Sequence, residues 1–248
     1  MSGTSKELAG EELRKNLGRM LAVTLIYMAI FFGIGALSFS SVYILKSIPK
    51  LVLVFIANLF LVFPLSFGWI YVLYTKKYKV KSLFEFFKSE YYFKVILLSS
   101  IFMTVPNFMT NVIRNIKPNS AVVFLLGLLL LFVVKYVDVL KYVFIINPEG
   151  SIKKKISYAF RIYVKNFGEL IYFELSFLGW VLLVIVMTIL LMLSRQGFLQ
   201  HFVLVVLICL VVFTCLYYYI SKVNFCSILI QKYEATDTDD ENKIDIII

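Results

Sequence analysis

Residues 168–193 read GELIYFELSFLGWVLLVIVMTILLML, and from Leu175 to Leu193 not one side chain is charged. A stretch so long and so apolar has no reason to sit in water. At 1.5 Å of rise per residue, about twenty residues cross the roughly 30 Å hydrocarbon layer of a bilayer as an α-helix, which bonds every backbone N–H and C=O within itself. Working outward, comparable runs fall at about residues 20–41, 51–74, 92–112, 121–141 and 202–221. The chain is therefore expected to be all-α, a polytopic transmembrane helical bundle of about six spans. Composition agrees, with 61% apolar and 16% charged residues where soluble domains have about half and a quarter. The expected layout is an N-terminal segment over 1–19, a membrane domain over 20–232 and an acidic tail over 233–248. Glu7, Glu11 and Glu12 precede a first run too long for a signal peptide and lacking a small-residue cleavage site, so that run is expected to remain as a helix.

The connections alternate in character. Residues 80–91 (VKSLFEFFKSEY) place Val80, Leu83, Phe84, Phe87 and Tyr91 on one helical face and Lys81, Glu85 and Lys88 on the other. Residues 151–167 (SIKKKISYAFRIYVKNF) set Ile152, Ile156, Ala159, Phe160, Tyr163 and Phe167 against Lys153, Lys154, Lys155, Arg161 and Lys165. Both read as basic amphipathic helices lying in the cytoplasmic membrane surface. Beside anionic lipid, these five cations are each worth about 1 kcal/mol as headgroup contacts, although retention of positive loops produces such residues without any lipid specificity. The other connections, at 42–50, 113–120 and 194–201, are short and carry no acid.

Lysine and arginine counts orient the chain. Of the 25, nineteen fall on the side holding the N-terminal segment, both amphipathic segments and the tail, five fall in the short loops, and Lys135 lies inside the fourth run. Positive loops stay inside, so both ends are expected in the cytoplasm of the cell membrane. The tail, EATDTDDENKIDIII, reverses the balance and reads as a solvated charge run. Lys15-Asn16-Leu17-Gly18 and Lys165-Asn166-Phe167-Gly168 each stand just before a span, and Lys88–Phe93 holds a comparable place before the third. Duplication and shared interfacial chemistry account for this echo equally.

Several of these pieces resemble a bacterial family of integral membrane proteins designated only as a domain of unknown function, DUF975. They are NLGRMLAVTLIYMAI at residues 16–30, PLSFGW at 64–69, SLFEFFK at 82–88, NPEGSIKKKISYAF at 147–160 and ELSFLGW at 174–180. The fourth run departs from the family pattern, with LLLLFVV in place of a Pro-Gly step. The resemblance implies a bacterial multi-span membrane protein and brings no activity with it.

Catalytic groups are missing from the sequence. There is no HExxH, no GxSxG and no phosphate-binding GxxxxGK[ST], and the single histidine, His201, has no carboxylate or cysteine nearby. Cys209, Cys215 and Cys226 show no CxxC spacing. No enzyme activity, cofactor, metal or nucleic-acid partner is expected. What remains is polar chemistry within the spans. Pro64 and Pro106 each remove a backbone donor, and Asn107 follows the second. The freed carbonyls are available to an ion or to neighbouring side chains. Small residues at Ser66, Gly68, Ser176 and Gly179 suit close helix packing, beside Trp69 and Trp180.

Lys135, Asp138 and Lys141 close the fourth run, and Glu169 and Glu174 open the fifth. Helical rise places Lys135 about 8 Å and Glu174 about 9 Å from the cytoplasmic edge. An ion pair between them is one expectation, with Asp138 the rival partner for Lys135. The other is that Lys135 snorkels and Glu174 meets water or a hydroxyl. Two functions fit: a non-enzymatic component, accessory, regulatory or immunity-type, acting through protein partners or lipids, or a small transporter or permease subunit.

Overall fold

The computed structural model describes the backbone of residues 1–44, 50–115, 120–193 and 197–244, and the side chains of all of these except 35, 37–44, 50, 51, 53, 54, 89, 103, 105–115, 120–124, 198, 199 and 234–244. Among the described residues the chain is all-helical. In order the helices are α1 (Ser2–Ile44), α2 (Lys50–Ala57), a π-helical turn (Asn58–Val62), α3 (Phe63–Thr75), a 3-10 helix (Val80–Phe87), α4 (Ser89–Asn115), α5 (Ser120–Ile146), α6 (Ile152–Lys165), α7 (Phe167–Leu175), α8 (Leu178–Leu193) and α9 (Phe198–Ile244). Among the described residues, four segments are long and apolar enough to cross a membrane: Ser2–Ile34, Phe55–Thr75, Phe167–Leu193 and Gln200–Tyr233. The runs at 92–112 and 121–141 fall on α4 and α5, where the side chains of 105–115 and 120–124 lie outside the described ones. The chain divides into two compact units, one of Met1–Asn16 with Ile162–Ile248 and one of Leu17–Arg161.

In the Leu17–Arg161 unit, Pro64 shapes the second apolar run. It cannot donate to the carbonyl of Phe60, four residues earlier, and the chain inserts a π turn there, in which Phe63 N–H reaches Asn58 O. The Tyr92 hydroxyl donates to Phe60 O at 3.0 Å, so a neighbouring side chain satisfies the carbonyl that proline leaves. α3 ends at Lys76, in the left-handed conformation (φ 56°, ψ 21°) common after a final helical turn.

The following segment is not the amphipathic α-helix expected. It is a 3-10 helix that buries Leu83 and Phe86, while Val80 and Phe84 of the expected face are each 42% exposed. With three residues per turn, 83 and 86 fall on one line, and that line packs on α3. Gly68 makes the approach possible: a β-carbon there would lie 2.6 Å from the carbonyl carbon of Leu83. The other small-residue position behaves differently, since Gly179 meets nothing within 4 Å. Phe67 forms the hub of this unit, with ring centroids 5.8 Å from Phe86, 6.1 Å from Phe102 and 5.9 Å from Phe144. In lipid the hydrophobic effect does not drive helix association, so such contacts act by dispersion and ring geometry, at about 0.5–1.5 kcal/mol each.

In the other unit, two successive tight bonds, Phe177 N–H to Glu174 O (3.1 Å) and Trp180 N–H to Phe177 O (3.0 Å), break the fifth run into α7 and α8. Phe173 and Phe177 on this break are buried, and Phe173 stacks on Phe225 of α9 at 4.6 Å. Lys6 from the N-terminal segment donates to Ser176 O at 2.9 Å and lies over the Phe177 ring at 4.5 Å. α8 buries none of its side chains.

Candidate functional site

The strongest concentration of polar groups inside an apolar segment lies where α7 meets α9. Lys222 Nζ donates to Glu174 Oε1 at 2.9 Å and to the Tyr218 hydroxyl oxygen at 2.8 Å, and Tyr218 donates to the Glu174 carboxylate with both oxygens at 3.0 Å. Lys222 is 5% exposed, and the Glu174 side chain 26%. The three groups close a ring of charge-assisted bonds among Phe173, Phe177 and Tyr219. The Tyr218 hydroxyl and Lys222 both reach Glu174. That lysine reads in sequence as a flanking charge, because the sixth apolar run ends at residue 221. The missed signal is the spacing of Tyr218 and Lys222, four apart on one face of a helix that contains no glycine or proline. Lys135 and Asp138 lie half-buried on α5 in the other unit, and Lys141 there stands 5.9 Å from the Tyr142 ring.

The Leu17–Arg161 unit has an uncharged counterpart of this arrangement. Trp69 Nε1 donates to Thr24 Oγ1 at 3.1 Å, and Tyr27 stacks on the indole at 4.9 Å and 6°. Trp69 follows Thr24 by 45 residues, and Tyr218 follows Glu174 by 44. In both, a polar residue on one helix receives the polar end of an aromatic side chain on the next. An aromatic residue three positions on packs against the same ring, Tyr27 in one and Phe177 in the other, the latter 5.2 Å from Tyr218. Trp69 is thus a buried filler whose indole N–H donates to Thr24.

A second group of polar residues surrounds the turn after α5. Asn147-Pro148 ends that helix, since proline disfavours helical geometry in the residue before it, and Gly150 (φ 85°) completes the turn. Lys155 donates to Asn147 O, and Lys94 to Gly150 O at 3.4 Å. Lys155 also lies 5.5 Å from the Phe144 ring. This corrects one of the five expected lipid contacts. Lys155 is 8% exposed and caps α5, where a cation favours the helix C-terminus, whereas Lys153, Lys154, Arg161 and Lys165 are exposed. The apolar face differs as well: α6 buries Ala159, Ile162 and Tyr163 and leaves Phe160 49% exposed.

Burial pulls the Lys155 ammonium from 10.5 down to about 8, with Lys94 adding to the effect and Glu149 opposing it. Between these two values the unfolded chain binds the proton more strongly than the folded one. The cost of the buried charge is therefore present in full below pH 8 and is relieved as pH rises. Relative to Lys155→Met, wild-type protein should gain roughly 2 kcal/mol of stability between pH 7.5 and 9.5. Paired thermal melts in detergent across that range check it, and a pH-independent difference between the two proteins would refute the shift.

Asn16 and Asn166 have nearly the same backbone, φ −128°, ψ 16° and φ −117°, ψ 21°, and each marks a kink before an apolar helix. Their side-chain amides reach back four residues, Asn16 Nδ2 to Glu12 Oε1 at 2.8 Å and Asn166 Nδ2 to Ile162 O at 2.9 Å. The third echo departs from this pattern, since Lys88 is extended (φ −66°, ψ 143°). Pro106 and Asn107 fall on α4 with side chains outside the described ones. Among the described residues no three His, Cys, Asp or Glu side chains gather as metal ligands would. Compared with family models, curated proteins and solved structures, the chain finds no match.

Proposed function

We propose that the chain is a six-span integral protein of a bacterial cell membrane with both ends in the cytoplasm. It acts without catalysis, through protein partners or lipids, as an accessory, regulatory or immunity-type component. The observation that carries this reading is α8. All of its described side chains from Val181 to Leu193 are apolar apart from Thr188, none is buried, and Leu182, Val186 and Met192 are 53%, 51% and 79% exposed. Such a surface belongs in lipid or against another apolar chain. Orientation is tested with Lys117→Cys and Lys154→Cys, each in a chain whose native cysteines are replaced by serine. An impermeant thiol reagent added to intact cells should modify position 117 and spare 154, and the reverse labelling would overturn the topology.

The ring of Glu174, Tyr218 and Lys222 favours a second reading, a small transporter or permease subunit, because ionisable groups inside spans commonly mark ion or substrate paths. Cys215, three residues before Tyr218, reports on this. With Cys209 and Cys226 replaced by serine, a small water-soluble thiol reagent should leave Cys215 unmodified if the protein is a dry, partner-binding bundle. Rapid modification would favour the transporter.

A further inference from the structure

Residues 3–20 and 153–170 are one structural element built twice. Offset by 150 residues, the two segments show the same succession of buried, half-buried and exposed positions at every place but one, Leu8 against Tyr158. The buried face is Ser5, Ala9, Glu12, Leu13 and Met20 in the first copy and Lys155, Ala159, Ile162, Tyr163 and Leu170 in the second. The kinked asparagines fall at the same place in each copy, followed two residues later by Gly18 and Gly168. Each copy leads directly into a segment long and apolar enough to cross a membrane.

What distinguishes the copies is the outward face. Before its kink, the first exposes Glu7, Glu11, Arg14 and Lys15, a balanced set in which Lys15 lies 3.7 Å from Glu11. The second exposes Lys153, Lys154, Arg161 and Lys165 with no acid among them. It also exposes Phe160 (49%) and Val164 (51%), where the first copy has Gly10 and Arg14. Retention of positive charge counts lysine and arginine beside any span, and the first copy supplies Lys6, Arg14, Lys15 and Arg19 while keeping acids among them on its outward face. Topology alone therefore does not call for an outward face free of acids, with apolar side chains set between its cations. Cations interleaved with outward apolar side chains form the surface that inserts among lipid tails and holds acidic headgroups.

We infer that the outward face of α6 binds anionic phospholipid, with Lys153, Lys154, Arg161 and Lys165 on the headgroups and Phe160 and Val164 among the tails. This rests on the membrane reading proposed above and names the lipid class. The test uses full-length protein purified in a zwitterionic detergent and mixed with phosphatidylglycerol or phosphatidylcholine, the retained lipid being counted by mass spectrometry after gel filtration. Wild type should retain phosphatidylglycerol over phosphatidylcholine by about tenfold or more. Lys153→Gln, Lys154→Gln, Arg161→Gln and Lys165→Gln together should remove most of that preference, and Arg14→Gln with Lys15→Gln should leave it intact. Lys154→Gln with Arg161→Gln alone should lower it part way, which keeps the inference testable if the fourfold variant does not fold.

Equal retention of the two lipids by wild type overturns the inference, as does an equal loss from the Arg14 and Lys15 changes. If a preference emerges only after residues 234–248 are removed, the acidic tail occupies this face and the inference also fails. A chain that stays soluble without detergent would refute the membrane reading itself, whereas one that needs detergent and shows no preference refutes only the lipid assignment.

Discussion

Replacing Lys222 by methionine should cost about 2–3 kcal/mol and most of the folded yield, and adding Glu174→Gln should return the greater part of both. Lys222 is nearly inaccessible and donates to both Glu174 and Tyr218. Without it, the carboxylate loses its cation, while the Tyr218 hydroxyl still donates to it. A buried charge deprived of its partner costs about 3–5 kcal/mol, and the partial exposure of Glu174 lowers that figure here. In the double variant no charge remains, glutamine still accepts from Tyr218, and methionine fills the volume of the lysine stem. The Thr24 and Trp69 arrangement supports the expected rescue, because there an uncharged hydroxyl and indole join α1 to α3. Melting temperatures of the four proteins in detergent form a double-mutant cycle, with a coupling of at least about 1.5 kcal/mol expected. Purely additive losses would mean that the pair contributes nothing.

The same ring shows how far the sequence can be read. Helical rise alone places Glu174 inside the apolar layer and calls for a partner, and it does so from one residue's distance to the edge. Choosing the partner needs a second helix to be placed in three dimensions. The nearest cation by depth on the consecutive span is Lys135, and Lys222 is passed over because the apolar run stops just before it. α9 runs on through Lys222 to Ile244, since nothing in its sequence breaks a helix there, and this carries the lysine back onto the face that meets α7. Charge counting fails for a related reason at Lys155. Three consecutive lysines count alike as charges, yet steps of about 100° put the third on the side of Ile152, Ile156 and Ala159, and the turn at Asn147-Pro148 brings it to the carbonyl end of α5. The asparagine echo was legible as four letters. Its meaning as a kink came only from the backbone angles, because lysine and asparagine are common beside any span.

Gly68→Ala should destabilise the protein by about 3 kcal/mol, the largest effect expected of a methyl group added at any described glycine. The added carbon would collide with the Leu83 carbonyl, and its other near neighbours are backbone as well, the Leu83 carbonyl carbon at 2.6 Å and Cα at 3.2 Å. No side chain can rotate aside to admit it. The 3-10 helix must back away as a body, and it is held by Leu83 and Phe86, which are 0% and 1% exposed. Phe86 packs in turn against Phe67, Tyr71 and Phe144, at centroid distances of 5.8, 5.5 and 5.9 Å, so retreat opens the centre of the unit. Gly127→Ala on α5 supplies the control, since that glycine is exposed with nothing within 4 Å, and alanine there should leave stability unchanged or raise it by up to about 1 kcal/mol. Melting temperature and the folded fraction on gel filtration read both variants. If Gly68→Ala melts with wild type, the 3-10 helix does not rest on α3 at this glycine, and the packing of the unit described here is wrong at its centre.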